Sequence, residues 1–513
     1  MTQKQTSKSA PSAGAFRLLA GAGLVLASCG TTGSIHGGSP SAWSQGAAPT
    51  GFMVAEAPSQ GASPADLGGT WTFGRCTERL LEVSPAMSLA AAAVEEARAA
   101  LRLAGSASAP QLDFGLIGTN TDNPALAFMG ELNAHELSLA GGLDDTDPTT
   151  HVSAGLHASL LLWDGGRQAA VEGAAEAGVA AASWSSEARA LALVTHFSEL
   201  WWSLVEAEQL VEGLEALGPS LVAAEEAAKN RLLAGTGLRS DLLSIQAREF
   251  GRQQSLLQAR ASEAAVRRSI DALLDIPAGT DHDFLADDFV PGLAVGEPPT
   301  RRLAEFLAEA REQRPDLRAL ALLVEAAESE LEAAERSSGP TVTAFADTWR
   351  DGGTPAWELD RGSYNLGAAL NWNLADGGTR EAREGQARAR LRAGRARLAA
   401  AIDVVELELI AAATALEHAL ARTLTAKARH EAAAAALEEL AAGYEGGSVT
   451  LERWLGAEAE LHAAQTDRSL AGVAMWRSEY RLFLAIGSRF DQLDAGPRET
   501  SEHPDSNPGT LPR

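Results

Sequence analysis

The segment LLLWDGGRQAA, residues 160–170, runs from an alternating apolar pattern straight into an alanine-rich one. The segment NLADGGTREAR, residues 373–383, makes the same change, and its Asp-Gly-Gly lies 212 positions further along the chain. Glycine tolerates backbone angles and close approaches that suit a point where a strand gives way to a helix. Asp-Gly is also the commonest hairpin turn, but a long helical pattern follows both copies. The two segments therefore predict two equivalent strand-to-helix junctions.

The repeated junction belongs to a duplication of most of the chain. A constant shift of 212 positions aligns each junction with the later part of its copy. Nearer the start of each copy the shift is 230, so the first copy has a loop longer by 18 residues within positions 118–150. A period this long is too large for a solenoid repeat and indicates two tandem halves. The aligned pairs are Asp164 with Asp376, Gly235 with Gly447, Leu243 with Leu455, Pro85 with Pro315, and Pro110 with Pro340.

The two halves define the domain organisation. They occupy residues 85–275 and 315–487, and the Pro- and Gly-containing linker between them, residues 276–314, is predicted to carry a short equatorial helix beside the middle of the long helices. Residues 29–80 are rich in Gly, Ser, Pro and Ala and predict a flexible tether. Residues 488–513 have a similar polar composition and predict a disordered tail.

The first 28 residues have the pattern of an export signal. Basic residues precede a short apolar core, and Leu26-Ala27-Ser28 lies directly before Cys29. This box resembles the cleavage site of bacterial lipoprotein signals, which implies that Cys29 becomes the lipidated first residue of the mature chain. Gly30, rather than Asp, follows Cys29, which implies sorting to the outer membrane. An ordinary secretory signal is the alternative. Cys76 is the other cysteine, and we interpret it as a lone structural thiol.

Composition favours long helices over several compact cores. Alanine dominates the 513 residues, only 21 are proline, and 5% are aromatic. No apolar run of about 18 residues follows the signal, so no transmembrane helix is expected. The chain carries 68 acidic and 42 basic residues, a net charge of −26. This balance argues against a nucleic-acid partner, because binding phosphates needs clustered Lys and Arg.

Each half carries two strand patterns. Residues 365–374 alternate apolar side chains with Asn and Gly, and residues 153–163 repeat the alternation on the same face. Shorter runs after Pro110 and Pro340 supply the other two strands. One apolar and one polar face are typical of barrel strands around a water-filled lumen. Four strands cannot close a barrel, so several chains must contribute. The tryptophans near strand ends, which are candidates for interface aromatics or for ordinary packing, are Trp163, Trp349, Trp357 and Trp372.

The remaining segments predict helical rods. Residues 379–442 contain no proline and would span about 95 Å as one helix. Residues 166–234 are comparable, with a break expected at Gly218-Pro219. In each half one short and one medium helix together match one long helix. The shorter predicted helices are residues 86–109, 241–274, 316–338 and 452–486.

A heptad seam runs along both long helices. Apolar residues step by four and three from Leu193 to Leu214, and the shift of 212 places an equivalent seam from Val405 to Ala419. Flanking Ala and Leu widen the apolar surface enough to contact neighbours on two sides. A closed ring of helices would need such a surface. A plain coiled-coil dimer is the alternative, but it would not require four amphipathic strands.

These features resemble TolC-like outer membrane efflux proteins over roughly residues 85–487. The resemblance implies a mainly helical fold with a small β part: long antiparallel coiled-coil helices and four amphipathic transmembrane strands per chain. The second junction matches the family pattern in part, because Thr379 stands where the first junction has Arg167. The matching segments are LWDGGR at 162–167, RLLAGTGLRSDLLSIQA at 231–247, RPDLRAL at 314–320 and YEGGSVTLERWLGAEAEL at 444–461.

The resemblance also implies function and partners. It predicts a homotrimer that forms a β-barrel in the cell outer membrane and a helical tunnel across the periplasm. The trimer would be a passive duct that exports small molecules for an inner-membrane pump, through a periplasmic adaptor of the membrane fusion protein class. Alternatives are a duct for type I protein secretion and a lipid-anchored coiled-coil scaffold without a pore.

Three groups of residues are candidates for this function. Asp241 would become a ring of three carboxylates in a trimer, or would simply stabilise a helix N-terminus. The junction residues are Asp164, Gly165, Gly166, Asp376, Gly377 and Gly378, with the two aspartates expected to cap the following helices. The gate residues at the periplasmic tip are Gly235, Ser240, Asp241, Tyr444, Gly447 and Thr450. The adaptor-docking residues are Thr236, Gly237, Leu238, Arg239, Ser448 and Val449.

Enzyme motifs are missing from the sequence. It contains no P-loop, G-x-S-x-G, C-x-x-C or H-E-x-x-H, and its ten histidines lack ligand spacing. We therefore expect neither catalysis nor a cofactor or metal site.

Overall fold

The computed structural model describes residues 67–134, 148–285, 298–353, 362–445 and 448–488. The helices are α1 (Phe73–Val83), α2 (Pro85–Ser106), α3 (Pro124–Asn133), α4 (Arg167–Ala216), α5 (Gly218–Leu233), α6 (Arg239–Leu273), α7 (Leu303–Gln313), α8 (Pro315–Arg336), α9 (Thr379–Glu445) and α10 (Leu451–Ile486). The strands are β1 (Gly69–Trp71), β2 (Gln111–Thr121), β3 (Thr149–Trp163), β4 (His282–Phe284), β5 (Thr341–Gly353) and β6 (Ser363–Asn371).

The long helices form where the sequence predicts them. α9 has 67 residues, which correspond to about 100 Å. The expected break at Gly218-Pro219 is confirmed, because α4 ends at Ala216 and α5 begins at Gly218. α2 and α6 pack along α4, and α8 and α10 pack along α9, so each half pairs a long helix with two shorter ones. Within the described ranges, no helix is both long and apolar enough to cross a membrane.

Four strands form one antiparallel sheet in the order β2-β3-β5-β6. Within each half, the strand after the short helix pairs with the strand before the junction: β2 pairs with β3, and β5 pairs with β6. β3 also pairs with β5, which joins the two halves. The four predicted strands are therefore confirmed, and β2, β3 and β5 are longer than the sequence patterns indicated. Each edge strand, β2 and β6, has one side without a strand partner in the described part of the chain.

The sheet has one apolar and one polar face, as the alternation predicts. The register places Phe114, Leu156 and Thr348 in one row, and large apolar side chains of this face, such as Leu366, are exposed. The next row carries polar groups on the opposite face. Its members are Asp113, His157, Asp347 and Asn365. A continuous face of exposed Leu and Phe is typical of a surface that contacts lipid or another protein.

Trp349 does not serve as an interface aromatic. It lies on the polar face, where its indole ring covers Gly155 and contacts Gly115. A Cβ atom at either glycine would press against the ring, so packing explains both glycines and the tryptophan. Trp163 and Trp372, by contrast, are exposed near the junction ends of their strands. Trp357 lies outside the described residues.

The longer loop of the first half contains a helix that the sequence patterns did not reveal. α3 begins at Pro124, and the side-chain Oδ1 of Asn123 accepts a hydrogen bond of 3.0 Å from the N–H of Ala125. The helix packs against β3 and β5, and its Gly130 faces the ring of His151. His151 is on the polar face of the sheet, so α3 folds over that face.

The predicted tether is wrong in its last part, because residues 67–80 are folded. β1 pairs in parallel with β4, and α1 continues directly from it. The ring of Phe73 lies 5.6 Å from that of Trp201 and 5.4 Å from that of Tyr480. Periodicity within a short segment could not reveal this packing, since the partners are more than a hundred residues away. Cys76 is buried and forms no disulfide, and burial raises the pKa of its thiol to about 12.

The linker ends in the predicted short helix, α7, which extends the duplication. The shift of 230 places α1 on α7, with the same first and last positions, and aligns Cys76 with Phe306. The repeated unit therefore begins before residue 85. Between α7 and α8, Arg314 donates 2.7 and 3.1 Å hydrogen bonds to Glu408 and to the carbonyl oxygen of Ala485. Burial alone would lower the pKa of Arg314, but hydrogen bonds to Asp316 and Glu408 raise it above its ordinary value. This guanidinium ties α8, α9 and α10 together.

Candidate functional site

The first junction is enclosed. Asp164 is 6% exposed, and its carboxylate accepts hydrogen bonds from the N–H groups of Gly166 at 3.0 Å and Gln168 at 2.7 Å. This is the helix capping that the sequence predicts. Gly165 and Gly166 have φ angles of 72° and 82°, which other residues rarely adopt. Arg336 of the second half donates a 2.9 Å hydrogen bond to the carbonyl oxygen of Gly166 and closes the junction from the side.

The second junction has the same backbone but an open side. Asp376 accepts hydrogen bonds from the N–H groups of Gly378 at 3.1 Å and Arg380 at 2.9 Å. Burial acts to raise the pKa of Asp376, but these N–H groups and the charge of Arg380 outweigh it and lower that pKa. Gly377 and Gly378 have φ angles of 66° and 89°. A Cβ at Gly378 would meet no described atom within 4 Å, whereas one at Gly166 would lie 2.5 Å from Arg336.

The first tip is a tight turn between α5 and α6. Gly235 has a φ of 73°, and the N–H groups of Thr236 and Gly237 donate to the carbonyl oxygen of Arg231 at 2.9 and 3.0 Å. This closes the helix end in the manner of a glycine C-cap. Beyond the turn, Leu238 is exposed and Asp241 lies in the first turn of α6. The candidate docking residues Thr236, Gly237, Leu238 and Arg239 therefore lie together at this end with the candidate gate residue Ser240, and all of them except the half-buried Gly237 are exposed.

The second tip is closed by side chains from both halves. The rings of Tyr444 and Trp454 stack with centroids 5.3 Å apart, and the Arg231 guanidinium lies 4.5 Å from the Tyr444 ring centroid. The Thr450 side chain accepts a 3.4 Å hydrogen bond from the N–H of Arg453 and so caps α10. Ser448 and Val449 lie in the connecting turn, and both donate backbone hydrogen bonds to Gly443. The predicted gate residue Gly447 lies outside the described residues.

Tyr444 therefore joins a packed cluster, together with partners that the sequence patterns did not single out. Ile245 of the first tip and Leu455 of the second lie in one apolar cluster that Tyr444 and Trp454 adjoin. A basic residue near the end of one helix and an aromatic residue on another give no sequence signal until the fold is known. The two tips of one chain thus pack against each other through the Arg231–Tyr444–Trp454 stack.

Positions aligned by the duplication differ sharply in burial. At the tips, Leu455 is 5% exposed but its equivalent Leu243 is 53% exposed. On the short helices, Ala319 and Ala333 of α8 are 4% and 9% exposed. Their equivalents on α2 are Leu89 and Leu103, which are 63% and 73% exposed.

The long helices also differ in burial, but here the helix of the first half is the more buried one. α4 packs between α2 and α8, and its Ala170, Ala177 and Ala181 are buried. The equivalent alanines of α9, at positions 382, 389 and 393, are exposed. Gly173 of α4 faces Ser329 of α8 at 3.8 Å, whereas its equivalent Gly385 faces no described atom within 4 Å. Within one described chain, α4 and α8 pack against each other, whereas the equivalent sides of α9 and α2 are exposed.

These features define a class of protein: a segment of channel wall, in which an amphipathic sheet passes through Asp-Gly-Gly junctions into long helices with closed tips. The chain belongs to the outer membrane efflux protein family, whose family model matches residues 77–274 and 306–488. This confirms the predicted recognition. It also confirms that the chain is a channel-family protein rather than an enzyme.

Solved structures of similar fold include outer membrane channels. CusC has a TM-score of 0.67 and 18% identity, covering 81% of this chain and 92% of its own. VceC from Vibrio cholerae has a TM-score of 0.67 and 19% identity, covering 82% and 96%. CmeC from Campylobacter jejuni has a TM-score of 0.64 and 16% identity, covering 81% and 85%. The predicted fold class is confirmed. No curated protein sequence matches the chain.

Proposed function

We propose that three copies of this chain form a passive duct that exports small molecules across the periplasm and the outer membrane. The observation that carries the proposal is the asymmetry between equivalent positions of the two halves. The sheet leaves strands β2 and β6 at its edges, and an open sheet edge is not tolerated in lipid. Three chains with four strands each would close a barrel of twelve strands.

The duplication specifies how the copies would pack. In one chain, α4 of the first half packs against α8 of the second. By equivalence, α9 of one copy would pack against α2 of the next. The exposed Leu89 and Leu103 of α2 would then meet the exposed alanines and Gly385 of α9. Large side chains on one helix and small ones on the other give complementary surfaces.

The tips would form the entrance of the duct. Three Arg231–Tyr444–Trp454 stacks would hold the entrance narrow, and three copies of Asp241 would form a ring of carboxylates that favours cations. The tip residues Thr236, Gly237, Leu238, Arg239, Ser448 and Val449 would dock a periplasmic adaptor, which connects the duct to an inner-membrane pump. Lipidation of Cys29, which lies outside the described residues, would anchor the chain to the same membrane.

Cysteine pairs test the arrangement directly. Ala99 of α2 is equivalent to Ser329, so Ala99→Cys with Gly385→Cys should form disulfides between copies, in a Cys76→Ala background. Non-reducing gels should show dimers and trimers. Gly173→Cys with Ser329→Cys should link within one chain. Ala99→Cys with Ala387→Cys should give no link, because Ala387 is buried within its own chain.

Planar bilayers test the duct itself. The purified trimer should conduct ions in discrete steps. A scaffold without a pore would give neither membrane-inserted β structure nor conductance, and it would leave the membrane once its lipid was removed. Failure of both the cross-links and the conductance would reject the proposal.

A further inference from the structure

The membrane-proximal end of α9 carries a charge pattern that the first half lacks. Residues 379–398 contain seven arginines and two glutamates, although the whole chain has a net charge of −26. The equivalent residues 167–186 contain one arginine and two glutamates. Capping does not explain the arginines, because cations are unfavourable near a helix N-terminus. The segment begins directly at the junction that follows the sheet.

The arginines divide into two rows on opposite sides of the helix. Residues seven apart lie within about 20° of each other on a helix, so Arg383, Arg390 and Arg397 form one row. A second row contains Arg388, Arg392 and Arg395. Adjacent members of the two rows, two positions apart, are separated by about 160° around the axis.

The second row points to the outside of the wall. Its heptad continuation reaches Ile402 and Ala413, which pack in the cluster formed with Phe306 of α7. Arg388 and Arg395 also form ion pairs with Glu335 and Glu328 of α8, at 3.2 and 2.7 Å, which tie α9 to α8. α7 and its neighbours lie beside the rods, on one side of the helical wall.

The first row points to the other side, which continues the polar face of the sheet. Its heptad continuation, Val404, Ala411 and His418, is exposed. Arg383 shares a polar cleft with Asn373, which follows the polar-face residue Asn371 in the strand alternation. Arg390 has one ion pair, with Glu330 at 3.6 Å. Within the described residues, Arg383 and Arg397 form no ion pair.

We infer that Arg383, Arg390 and Arg397 form an arginine ladder that faces the lumen and binds anionic export substrates, such as those with carboxylate, sulfonate or phosphate groups. This inference rests on the proposed duct. In a trimer the ladder would present three tiers of three guanidinium groups just below the barrel. Positive charge lining a cleft with low-dielectric walls raises the local concentration of anions. Guanidinium groups also suit planar oxyanions, because they donate two parallel hydrogen bonds.

The position of the ladder gives it a role distinct from the tips. An acidic ring at the entrance would act on whatever the pump delivers, whereas the ladder would act after the tunnel and before the barrel. Its first-half equivalents, Val171, Gly178 and Ser185, carry no charge, so the ladder occurs once per chain. The lumen at this level would therefore alternate charged and neutral sectors.

Binding of a small polyanion to the full-length trimer tests the ladder. The probe is pyranine, a dye with three sulfonates, and the readout is fluorescence anisotropy. The variant Arg383→Gln/Arg390→Gln/Arg397→Gln should bind the dye about tenfold more weakly than wild type at low salt. At about 1 M salt, where the Debye length is about 3 Å, wild-type binding should fall towards that of the variant. The variant Arg383→Lys/Arg390→Lys/Arg397→Lys should retain most of the binding, since it keeps the charge.

The outward row provides a control with the same change of charge. Arg388→Gln/Arg392→Gln/Arg395→Gln should bind the dye within about twofold of wild type. Circular dichroism and trimer content should be checked for both Gln variants. Equal loss of dye binding in the two Gln variants, or no loss in either, would overturn the inferred ladder. Wild-type protein that forms neither trimers nor conducting pores would overturn the proposed duct instead.

Discussion

The two strand-to-helix junctions have the same local sequence and different surroundings. At the first, Arg336 closes over Gly166; at the second, Gly378 faces open space. The capping hydrogen bonds of Asp164 and Asp376 are alike, so the difference does not arise from the local sequence. In the proposed trimer it would arise because the next long helix of the wall belongs to the same chain in one case only. Comparison of equivalent positions thus locates the surface where another copy would pack.

The strongest test of this comparison places charges at equivalent sites of α2 and α8. Leu89→Glu/Leu103→Glu should abolish trimers and leave helix content unchanged. Each buried leucine contributes about 1.5–3 kcal/mol, and an unpaired carboxylate in its place adds a further penalty. Gel filtration in detergent and circular dichroism measure the two effects.

The equivalent change on α8 should act differently. Ala319→Glu/Ala333→Glu inserts charges into a surface that is already buried within the chain, so it should destabilise the folded chain itself. Leu89→Ala/Leu103→Ala should weaken the trimer without abolishing it. If the α2 carboxylates leave the trimer intact, the inferred interface between copies is wrong.

The tips provide the next largest effect. Tyr444→Ala/Trp454→Ala removes the stack that holds the two tips of a chain together, and we expect single-channel conductance to rise several-fold. Arg231→Gln should raise it less, because it removes one cation–π contact, worth about 1 kcal/mol, and leaves the Tyr444–Trp454 stack in place. Trp454→Phe, which keeps an aromatic partner for Tyr444, is the matched control. Unchanged conductance in the double variant would exclude the stack as the constriction.

Removal of the capping aspartates should have a smaller effect, and the loss of stability should be larger at the first junction than at the second. Asp164→Ala leaves two N–H groups without an acceptor at an enclosed site, and it should cost about 1–2 kcal/mol of folding stability. Asp376→Ala should cost less in the monomer, where water reaches the second junction. Urea unfolding of monomeric chains, followed by circular dichroism, compares the two. Equal losses would show that Arg336 adds no protection at the first junction.

Sequence reasoning succeeded where local pattern and long-range contact agree. The Asp-Gly-Gly segments and their constant shift predicted the junctions, the four strands and the rods, because each depends on periodicity and turn chemistry within a few residues. It failed for residues 67–80 and for α3, and it did not find the Arg231–Tyr444–Trp454 stack. These features depend on partners distant in sequence: Trp71 pairs with Phe284, and Arg231 meets Tyr444. Short segments of this kind carry no period that could reveal such partners.

The smallest expected effect concerns the equivalent equatorial helices α1 and α7. Cys76 and Phe306 occupy aligned, buried positions, but only the cysteine can ionise. Its pKa is about 12 in the fold against an ordinary value of 9.0, because burial disfavours the thiolate. The unfolded chain therefore loses this proton first, and the stability associated with the neutral thiol is complete below pH 9 and is lost as pH rises from 9 to 12. By pH 10 the loss should be about 1 kcal/mol.

Urea unfolding as a function of pH measures this loss. Wild type should lose stability between pH 9 and pH 10 more steeply than Cys76→Ala, which has no thiol to ionise but keeps the other titrating groups. The slopes must be compared rather than the absolute stabilities, because the alanine also removes buried volume. Phe306→Leu, at the aligned position of α7, should shift stability equally at both pH values. If the unfolding free energies of wild type and Cys76→Ala fall equally with pH, the Cys76 thiol is hydrated in the fold. In that case α1 packs less tightly on α4 than α7 packs on α9.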